Sequence, residues 1–105
     1  GSPHMMVVTE LTVAPRADID RAKAIVEEAI VTSAYVYVDD DYPVTVLVDD
    51  ETYYRTIRGK AYIGDLRDEF PFASDVTERS LEAFAEQGIE TPELPPPDYR
   101  TETAS

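Results

Sequence analysis

Residues 34–57 constrain the fold of this chain more than any other stretch. They contain three runs of β-branched and aromatic residues with two acidic segments between them: 34–38, 44–48 and 53–57, separated by 39–43 and 49–52. Valine, isoleucine and tyrosine favour a pleated strand, whereas aspartate and proline favour turns. The pattern predicts three consecutive antiparallel strands.

Tight turns would fix the register of these strands. If Val38 pairs with Val44 and Val48 pairs with Tyr53, alternation sends two sets of side chains to opposite faces of the sheet. The set expected to face the core is Ala34, Val36, Val38, Val44, Val46, Val48, Tyr53 and Ile57. The opposite set is Tyr35, Tyr37, Thr45, Leu47, Tyr54 and Thr56.

The residues before this stretch predict a strand and a helix. Val7–Val13 alternates as a strand does, and Pro15 ends it. An apolar stripe at helical spacing follows, with Asp18 or Asp20 placed to cap its first turn. Together with the strand at 34–38 this predicts a βαβ unit whose helix lies on the valine face.

The residues after this stretch predict a further strand and a second helix. Arg58 and Gly59 suit a tight turn into a short strand at 60–64, which would place Ile63 beside Tyr54. Pro71 is expected to stop a helical turn at 66–72. Asp75, with a glutamate three residues later, predicts the start of a helix that ends at Gly88.

The predicted fold class is therefore α+β. The order is βαββ(β)α, forming a two-layer sandwich of a mixed or antiparallel sheet with helices. Residues 1–5 are expected to be a cloning remnant, and residues 6–89 a single domain. Residues 90–105 are rich in proline and acids, which predicts a disordered tail.

Composition bounds the chemistry. Twenty-two acidic residues against nine basic ones give a formal net charge of −13, which argues against binding to nucleic acid or to anionic membranes. There is no cysteine, and the single histidine lies within residues 1–5. We therefore expect no enzymatic activity, no cofactor and no metal site. No apolar run approaches the roughly 20 residues of a membrane span, so a cytoplasmic protein is expected.

The two acidic segments are candidate partner-binding sites. Their carboxylates are Asp39, Asp40, Asp41, Asp49, Asp50 and Glu51. Carboxylates can bind a hard cation, but neither segment matches a calcium-binding loop, and a strand of about five residues at roughly 3.3 Å each separates the two. They cannot share one ion, so solvated turns or docking to a basic partner fit better.

The aromatic face is the second candidate. It comprises Tyr35, Tyr37, Leu47, Tyr54 and Ile63. Stacked tyrosines on a sheet can bind single-stranded RNA, but residues 34–54 carry six acids and no base, which disfavours RNA. Two alternatives remain open: cover by the second helix through Leu81 and Phe84, or contact with a protein partner or a second copy.

In composition the chain resembles small acidic inhibitors of restriction or CRISPR nucleases, and DNA-mimic proteins of phages generally. That resemblance implies an inhibitor or regulator of a basic, nucleic-acid-binding protein. Two alternatives are weighed beside it. The acidity could be that of an ordinary cytoplasmic protein of a salt-loving organism, which oligomerises through its tyrosine face. The chain could also be an antitoxin or immunity-type partner whose tail folds on its target.

Overall fold

The computed structural model of the chain describes residues 4–92. Its elements are β1 (Met5–Val13), α1 (Ile19–Val31), β2 (Val36–Tyr37), β3 (Thr45–Asp50), β4 (Arg55–Ile63) and α2 (Glu69–Glu86), with one 3-10 turn, Leu66–Asp68, before α2. The predicted α+β class is confirmed: one antiparallel sheet of four strands packs against two helices. Residues 1–3 of the predicted remnant and residues 93–105 of the predicted tail lie outside the described part.

The centre of the sheet is its last strand, β4. β1 pairs with one side of β4 along its whole length, from Met5 opposite Ile63 to Val13 opposite Arg55. β2 and β3 both pair with the other side, at its two ends. They therefore run in the same direction as two pieces of one interrupted strand.

The predicted hairpin between residues 34–38 and 44–48 is thus wrong. Tyr37 pairs with Tyr62 and Thr45 pairs with Lys60, so residues 38–44 stand where a single residue would face Ala61. The acidic segment does not reverse the chain; it loops out and returns to the same strand line. The register at the second turn also differs, because Val48 pairs with Ile57 rather than with Tyr53.

The predicted turn at Arg58 and Gly59 is also wrong, since β4 continues straight through both residues. The glycine has a packing role instead. A Cβ atom added at Gly59 would overlap Cδ1 of Ile30 and lie 3.4 Å from Cγ1 of Val26, both on α1. The missing side chain lets α1 approach the middle of the sheet closely.

Both helices lie on one face of the sheet, with α1 over β3 and β4 and α2 over β1. The core between the two layers contains Val7, Leu11, Val13, Ala22, Ile25, Val26, Ala29, Ile30, Ile57, Ala61, Ile63, Phe72, Val76, Phe84 and Ile89. Of the valine set predicted to face the core, Val36, Val44, Val46 and Val48 pack against it. Ala34, Val38 and Tyr53 are exposed and lie outside the strands.

An arginine ties the two helices together. The Arg79 guanidinium on α2 pairs with Asp75 one turn earlier, with nitrogen–oxygen distances of 3.1 Å. It also donates to the Thr32 hydroxyl at 2.7 Å and to the backbone carbonyl of Ala29. Both acceptors lie at the C-terminal end of α1, whose last carbonyls have no partner inside the helix.

The second helix begins earlier than predicted. It starts at Glu69 and runs through Pro71, which lies in the first turn, where backbone amides need no helical partner. Asp75 therefore pairs with Arg79 instead of capping the helix. The predicted end is confirmed: Gly88 has a φ of 71°, and the amide of Ile89 donates to the Phe84 carbonyl at 2.8 Å. Asp18 caps α1, accepting from the Arg21 amide at 3.2 Å, as predicted.

Candidate interaction surface

The face of the sheet opposite the helices is covered by no other element within residues 4–92. We call it the open face. Its strand side chains are Met6, Val8, Glu10, Thr12, Tyr37, Thr45, Leu47, Asp49, Thr56, Arg58, Lys60 and Tyr62. Several of them are large apolar groups in contact with solvent, among them Met6 at 51% exposure and Leu47 at 44%. Met6 and Val8 are neighbours on this face of β1, and contiguous exposed apolar side chains are typical of interaction sites.

The middle of the open face is held by one arginine. Arg58 on β4 bonds Glu10 on β1 at 2.9 Å and Asp49 on β3 at 2.6 Å. The Glu10 carboxylate, followed by that of Asp49, raises the pKa of Arg58 above its usual range. The one positive and two negative groups therefore cross-link three strands and together carry one net negative charge.

One end of the open face carries a cluster of aromatic rings, Tyr37, Tyr42 and Tyr62, which we call the tyrosine cluster. The rings of Tyr37 and Tyr42 meet edge to face at 5.5 Å between centroids, and those of Tyr42 and Tyr62 at 5.1 Å. His4 stacks on Tyr37 at 4.0 Å and on Tyr42 at 4.4 Å. Edge-to-face contacts stabilise such clusters and hold the rings in fixed orientations.

The predicted aromatic face is only partly assembled. Tyr37 and Leu47 lie on the open face, whereas Tyr35 and Tyr54 precede β2 and β4 and belong to neither strand. Ile63 was placed wrongly: it is fully buried on the helix-covered face. Cover by the second helix is also contradicted, because Phe84 is in the core on the helix side and Leu81 is 44% exposed.

The loop at residues 38–44 is organised by Asp39. Its carboxylate accepts the backbone amides of Asp41 at 2.8 Å and Tyr42 at 3.1 Å, and the Tyr37 hydroxyl at 2.9 Å. The hydrogen bond from Tyr37, followed by those from the two amides, lowers the pKa of Asp39, and the same carboxylate raises the pKa of Tyr37. Asp39 thus ties the loop to the tyrosine cluster.

The six predicted carboxylates fall into two groups. Three are engaged within the protein: Asp39 in its loop, Asp49 with Arg58, and Asp50 with Arg55 at 2.7 Å. The other three make no direct side-chain hydrogen bond or ion pair within residues 4–92: Asp40, Asp41 and Glu51. The two acidic segments lie at opposite ends of β3, as expected. Both segments lie along the edge of the sheet formed by β2 and β3, which we call the acidic edge.

Two further observations concern the remaining chemistry of residues 4–92. No three acidic or histidine side chains among them come together as ligands for a metal ion. Neither helix in this part of the chain has an apolar stretch long enough to cross a bilayer. One cavity within it, of about 610 Å³, lies between the loop after β1 and residues 89–92, and its charged lining consists of Arg16 and Glu90.

Several residues of this surface were not predicted to belong to it: Met6, Val8, Glu10, Tyr42, Arg58 and Tyr62. For Met6, Val8 and Glu10 the sequence did contain a signal, because the even-numbered positions of β1 alternate with the buried positions. The false turn at Gly59 took Arg58 out of the strand and reversed the alternation of the residues that follow the turn, including Tyr62. No family model matches this chain, and no curated protein sequence matches it.

Proposed function

We propose that this protein is a binding module that docks on a basic protein through its open face and acidic edge, and thereby inhibits or regulates that partner. The observation that carries the proposal is the open face itself. A four-stranded sheet that leaves Met6, Val8 and Leu47 to solvent beside unpaired carboxylates combines exposed apolar side chains, placed around the central Arg58 ion pairs, with a charged rim.

The apolar part would supply affinity. Leu47 stands on the outer strand beside Arg58, and the tyrosine cluster lies at the end of the same face. Tyrosine provides a large apolar area with one polar end and loses little side-chain freedom on binding. The rings are already held by each other and by the bond from Tyr37 to Asp39, so docking would require little further ordering.

The acidic part would supply orientation and speed of association. Asp40, Asp41 and Glu51 have no direct partner within residues 4–92, so a partner's arginine or lysine need not displace an internal bond to reach them. They lie near the two ends of β3, which spans about 20 Å at roughly 3.3 Å per residue. Carboxylates at both ends of β3 would steer and align a basic surface, as phosphates of a nucleic acid do.

A charge-matched pair of variants tests the proposal. The first, D40N/D41N/E51Q, neutralises the three unpaired carboxylates of the acidic edge. The second, E27Q/E28Q/E82Q, neutralises three exposed carboxylates on the helices, so both variants change the net charge from −13 to −10. A basic partner is first isolated on immobilised wild-type protein at low salt, and its association rate is then measured against salt concentration for each variant.

The proposal expects slower association and a flatter salt dependence for the acidic-edge variant only. Adding Leu47→Glu to the wild type should raise the dissociation rate without unfolding the protein, since Leu47 is exposed. Equal behaviour of the two triple variants, or failure to isolate any basic partner, would contradict a docking role for the acidic edge.

A second candidate is that the acidity is an adaptation to high salt. It is favoured by the even spread of exposed carboxylates over the helices, far from the open face: Asp20, Glu27, Glu28, Glu78, Glu82 and Glu86. A circular-dichroism melt across potassium chloride from roughly 0.05 to 3 M separates the two, because the Debye length falls to about 3 Å at 1 M. Folding that requires molar salt would support adaptation; full stability in dilute buffer would support recognition.

A further inference from the structure

The outer edge of β1 lacks the features that usually protect the rim of a sheet. Its nine residues contain no proline, glycine or lysine, and Glu10 is its only charge. Within residues 4–92 no strand pairs with its outer side; one backbone bond just beyond its end, from the Ala14 amide to the Glu90 carbonyl, is found there. An edge strand of this kind presents a row of backbone donors and acceptors with which another strand can pair.

Helix α2 runs along this edge from one end of β1 to the other. It begins shortly after Ile63, which pairs with Met5, and the chain that follows its end meets Ala14. Because α1 covers β3 and β4 while α2 covers β1, the last strand on its side, α2 overhangs the outer edge of the sheet. Neighbouring strands lie about 4.8 Å apart, so one further strand beside β1 would lie beneath this overhang.

The overhanging flank of α2 carries exposed apolar side chains. The Arg79 guanidinium donates to the Ala29 carbonyl, so that side of α2 faces α1. At roughly 100° per residue, Phe70, Thr77 and Leu81 lie within about 20° of the opposite side. Phe70 is 80% exposed and Leu81 is 44% exposed. An unpaired strand edge and an uncovered apolar helix flank therefore border one groove.

We propose that this groove binds an extended segment of another protein as an additional strand beside β1. The backbone of the segment pairs with the outer edge of β1. Its alternate side chains point toward the helices, where apolar groups cover Phe70 and Leu81. Backbone bonds supply affinity, and the side chains under α2 supply selectivity.

Charge defines the other half of the segment. The side chains between the apolar ones point to the open face, beside Glu10 of β1. The Glu10 side chain is 54% exposed although it bonds Arg58, and the whole chain carries a net charge of −13. Opposite charges on adjacent strands stabilise their pairing. The partner segment therefore alternates apolar residues with basic ones.

Two other occupants fit the groove poorly. Two copies of this protein paired through β1 would place their strands about 4.8 Å apart, whereas two α2 helices, each about 10 Å across, would both lie over that edge. The chain's own residues 91–105 contain Pro92, Pro95, Pro96 and Pro97. Proline has no amide hydrogen to donate to a neighbouring strand. A proline-free segment of a different protein meets neither obstacle.

This site is separate from the surface proposed above for docking. The acidic edge lies on the other side of β4, along β2 and β3. The D40N/D41N/E51Q variant should therefore bind a strand segment as the wild type does, and a variant of the α2 flank should associate with a basic partner at the wild-type rate. Failure of either proposal is visible independently of the other.

Three peptides of one sequence test the backbone pairing with the full-length protein. The probe is Lys-Val-Arg-Val-Thr-Val-Lys-Val-Arg, acetylated and amidated. The second peptide carries N-methyl groups on the valine amides, and the third carries them on the amides of the other residues. In a strand these two sets of amides point to opposite sides.

Fluorescence anisotropy should show that the unmodified probe and one methylated peptide bind with similar affinity. The other methylated peptide should bind weaker by about tenfold or more, because it loses the amides that face β1. All three peptides have the same charge and the same side chains, so non-specific attraction to an acidic protein predicts no such difference.

A matched pair of variants tests the helix flank. F70Q/L81Q removes two exposed apolar side chains from the overhang, and V31Q/L47Q removes two of similar kind from α1 and β3. None of the four is buried, so thermal melts should show folded proteins. The probe should bind F70Q/L81Q weaker by about tenfold and V31Q/L47Q as it binds the wild type.

Four outcomes would overturn the proposal. One is the absence of probe binding at millimolar concentration, and another is equal binding of the two methylated peptides. The third is that V31Q/L47Q weakens binding as much as F70Q/L81Q does, which would assign the probe to another surface such as the open face. The fourth is protection of the outer β1 amides from hydrogen exchange in the free full-length protein, which would identify residues 93–105 as the segment at this edge.

Discussion

The two edges of the sheet differ in continuity and in charge, although the strands at both edges pair with the same strand, β4. On one side of β4, β1 runs unbroken for nine residues with a single charge. On the other side, β2 and β3 are separated by the loop at 38–44, and acidic residues lie at both ends of β3. The interruption and its charge block strand addition at the acidic edge, whereas β1 keeps an unobstructed backbone.

The difference separates two kinds of recognition. The acidic edge offers side chains whose charge selects a basic surface. Because its strand is interrupted, it has few consecutive backbone groups that could pair with another strand. The β1 edge offers a row of backbone donors and acceptors, which select another strand by geometry. Substitutions in β4 should weaken both edges together, whereas substitutions on one side of β4 should weaken one edge more than the other.

The largest effect is expected at Ile57 on β4, which is fully buried and pairs with Leu11 on one side and Val48 on the other. Ile57→Ala should destabilise the protein by about 2–5 kcal/mol, since it opens a cavity between the sheet and the helices. Urea unfolding should show the loss in one cooperative transition. Leu47→Ala, on the exposed face of the same sheet, is the control and should cost less than about 1 kcal/mol.

The next largest effect should fall mainly on the β1 side. Arg79 fixes α2, which covers β1, to the end of α1 through Thr32 and Ala29. Arg79→Ala should cost about 2–3 kcal/mol, because it removes charge-assisted hydrogen bonds and leaves the Ala29 carbonyl unpaired.

Hydrogen exchange of the Arg79→Ala variant should show faster opening of β1 than of β3. Arg67→Ala is the matched control, because Arg67 pairs with Asp65 at an exposed site and should have little effect on stability. Equal opening of the two edges would show that α2 does not protect β1 selectively.

Gly59 lies in the middle of β4, between Thr9 and Val46, and should affect both edges by a smaller amount. Gly59→Ala should cost about 1–2 kcal/mol, since the new Cβ overlaps the end of the Ile30 side chain, which can move partly aside. Gly64→Ala meets no atom within 4 Å and is the control. Thermal melts of the two variants compare a position that needs glycine with one that does not.

The smallest effect concerns the acidic edge alone and depends on pH. The pKa of Asp39 is lowered because the ionised carboxylate accepts the Tyr37 hydroxyl and two amides. Its contribution to loop stability is therefore complete above the ordinary carboxyl pKa of 3.8 and is lost as the pH falls through the lowered value. NMR shifts of the Asp41 and Tyr42 amides should titrate in this acidic range while those of β1 do not.

Asp39→Ala should remove this titration and loosen the loop at neutral pH. Asp40→Ala removes the same charge from the neighbouring residue, whose side chain makes no direct hydrogen bond or ion pair within residues 4–92, and should leave the titration intact. If both variants behaved alike, net charge rather than the Asp39 hydrogen bonds would hold the loop.

The sequence was sufficient for the elements whose signals are local. The Asp18 cap and apolar stripe of α1, the Gly88 cap of α2 and the alternation of β1 were each predicted and found. The pairing of strands was not predictable in this way. Residues 38–44 have the composition of a hairpin turn, and only the long β4 strand decides that they loop out instead.

The roles of Gly59 and Pro71 were predicted wrongly, because each depends on structure beyond the neighbouring residues. Gly59 is common in turns, but here it makes room for Ile30 of a helix distant in sequence. Pro71 is a helix breaker in the interior of a helix, and its tolerated place in the first turn became visible only when the start at Glu69 was known. The error at Gly59 also changed the predicted composition of the open face, because the false turn moved Ile63 out of the core.

The position of β4 has a consequence for how the protein is made. Every strand pairing within residues 4–92 includes β4, yet β4 is the last strand in the chain. During synthesis β4 follows β3 after one short turn. Val13 of β1, however, can pair with Arg55 only when the residues between them have been translated, which takes about 2–8 s at ordinary ribosome speeds. For that interval β1, in which six of nine residues are apolar, is on the ribosome without its partner, so the yield of folded protein should depend on how quickly residues 14–63 are translated.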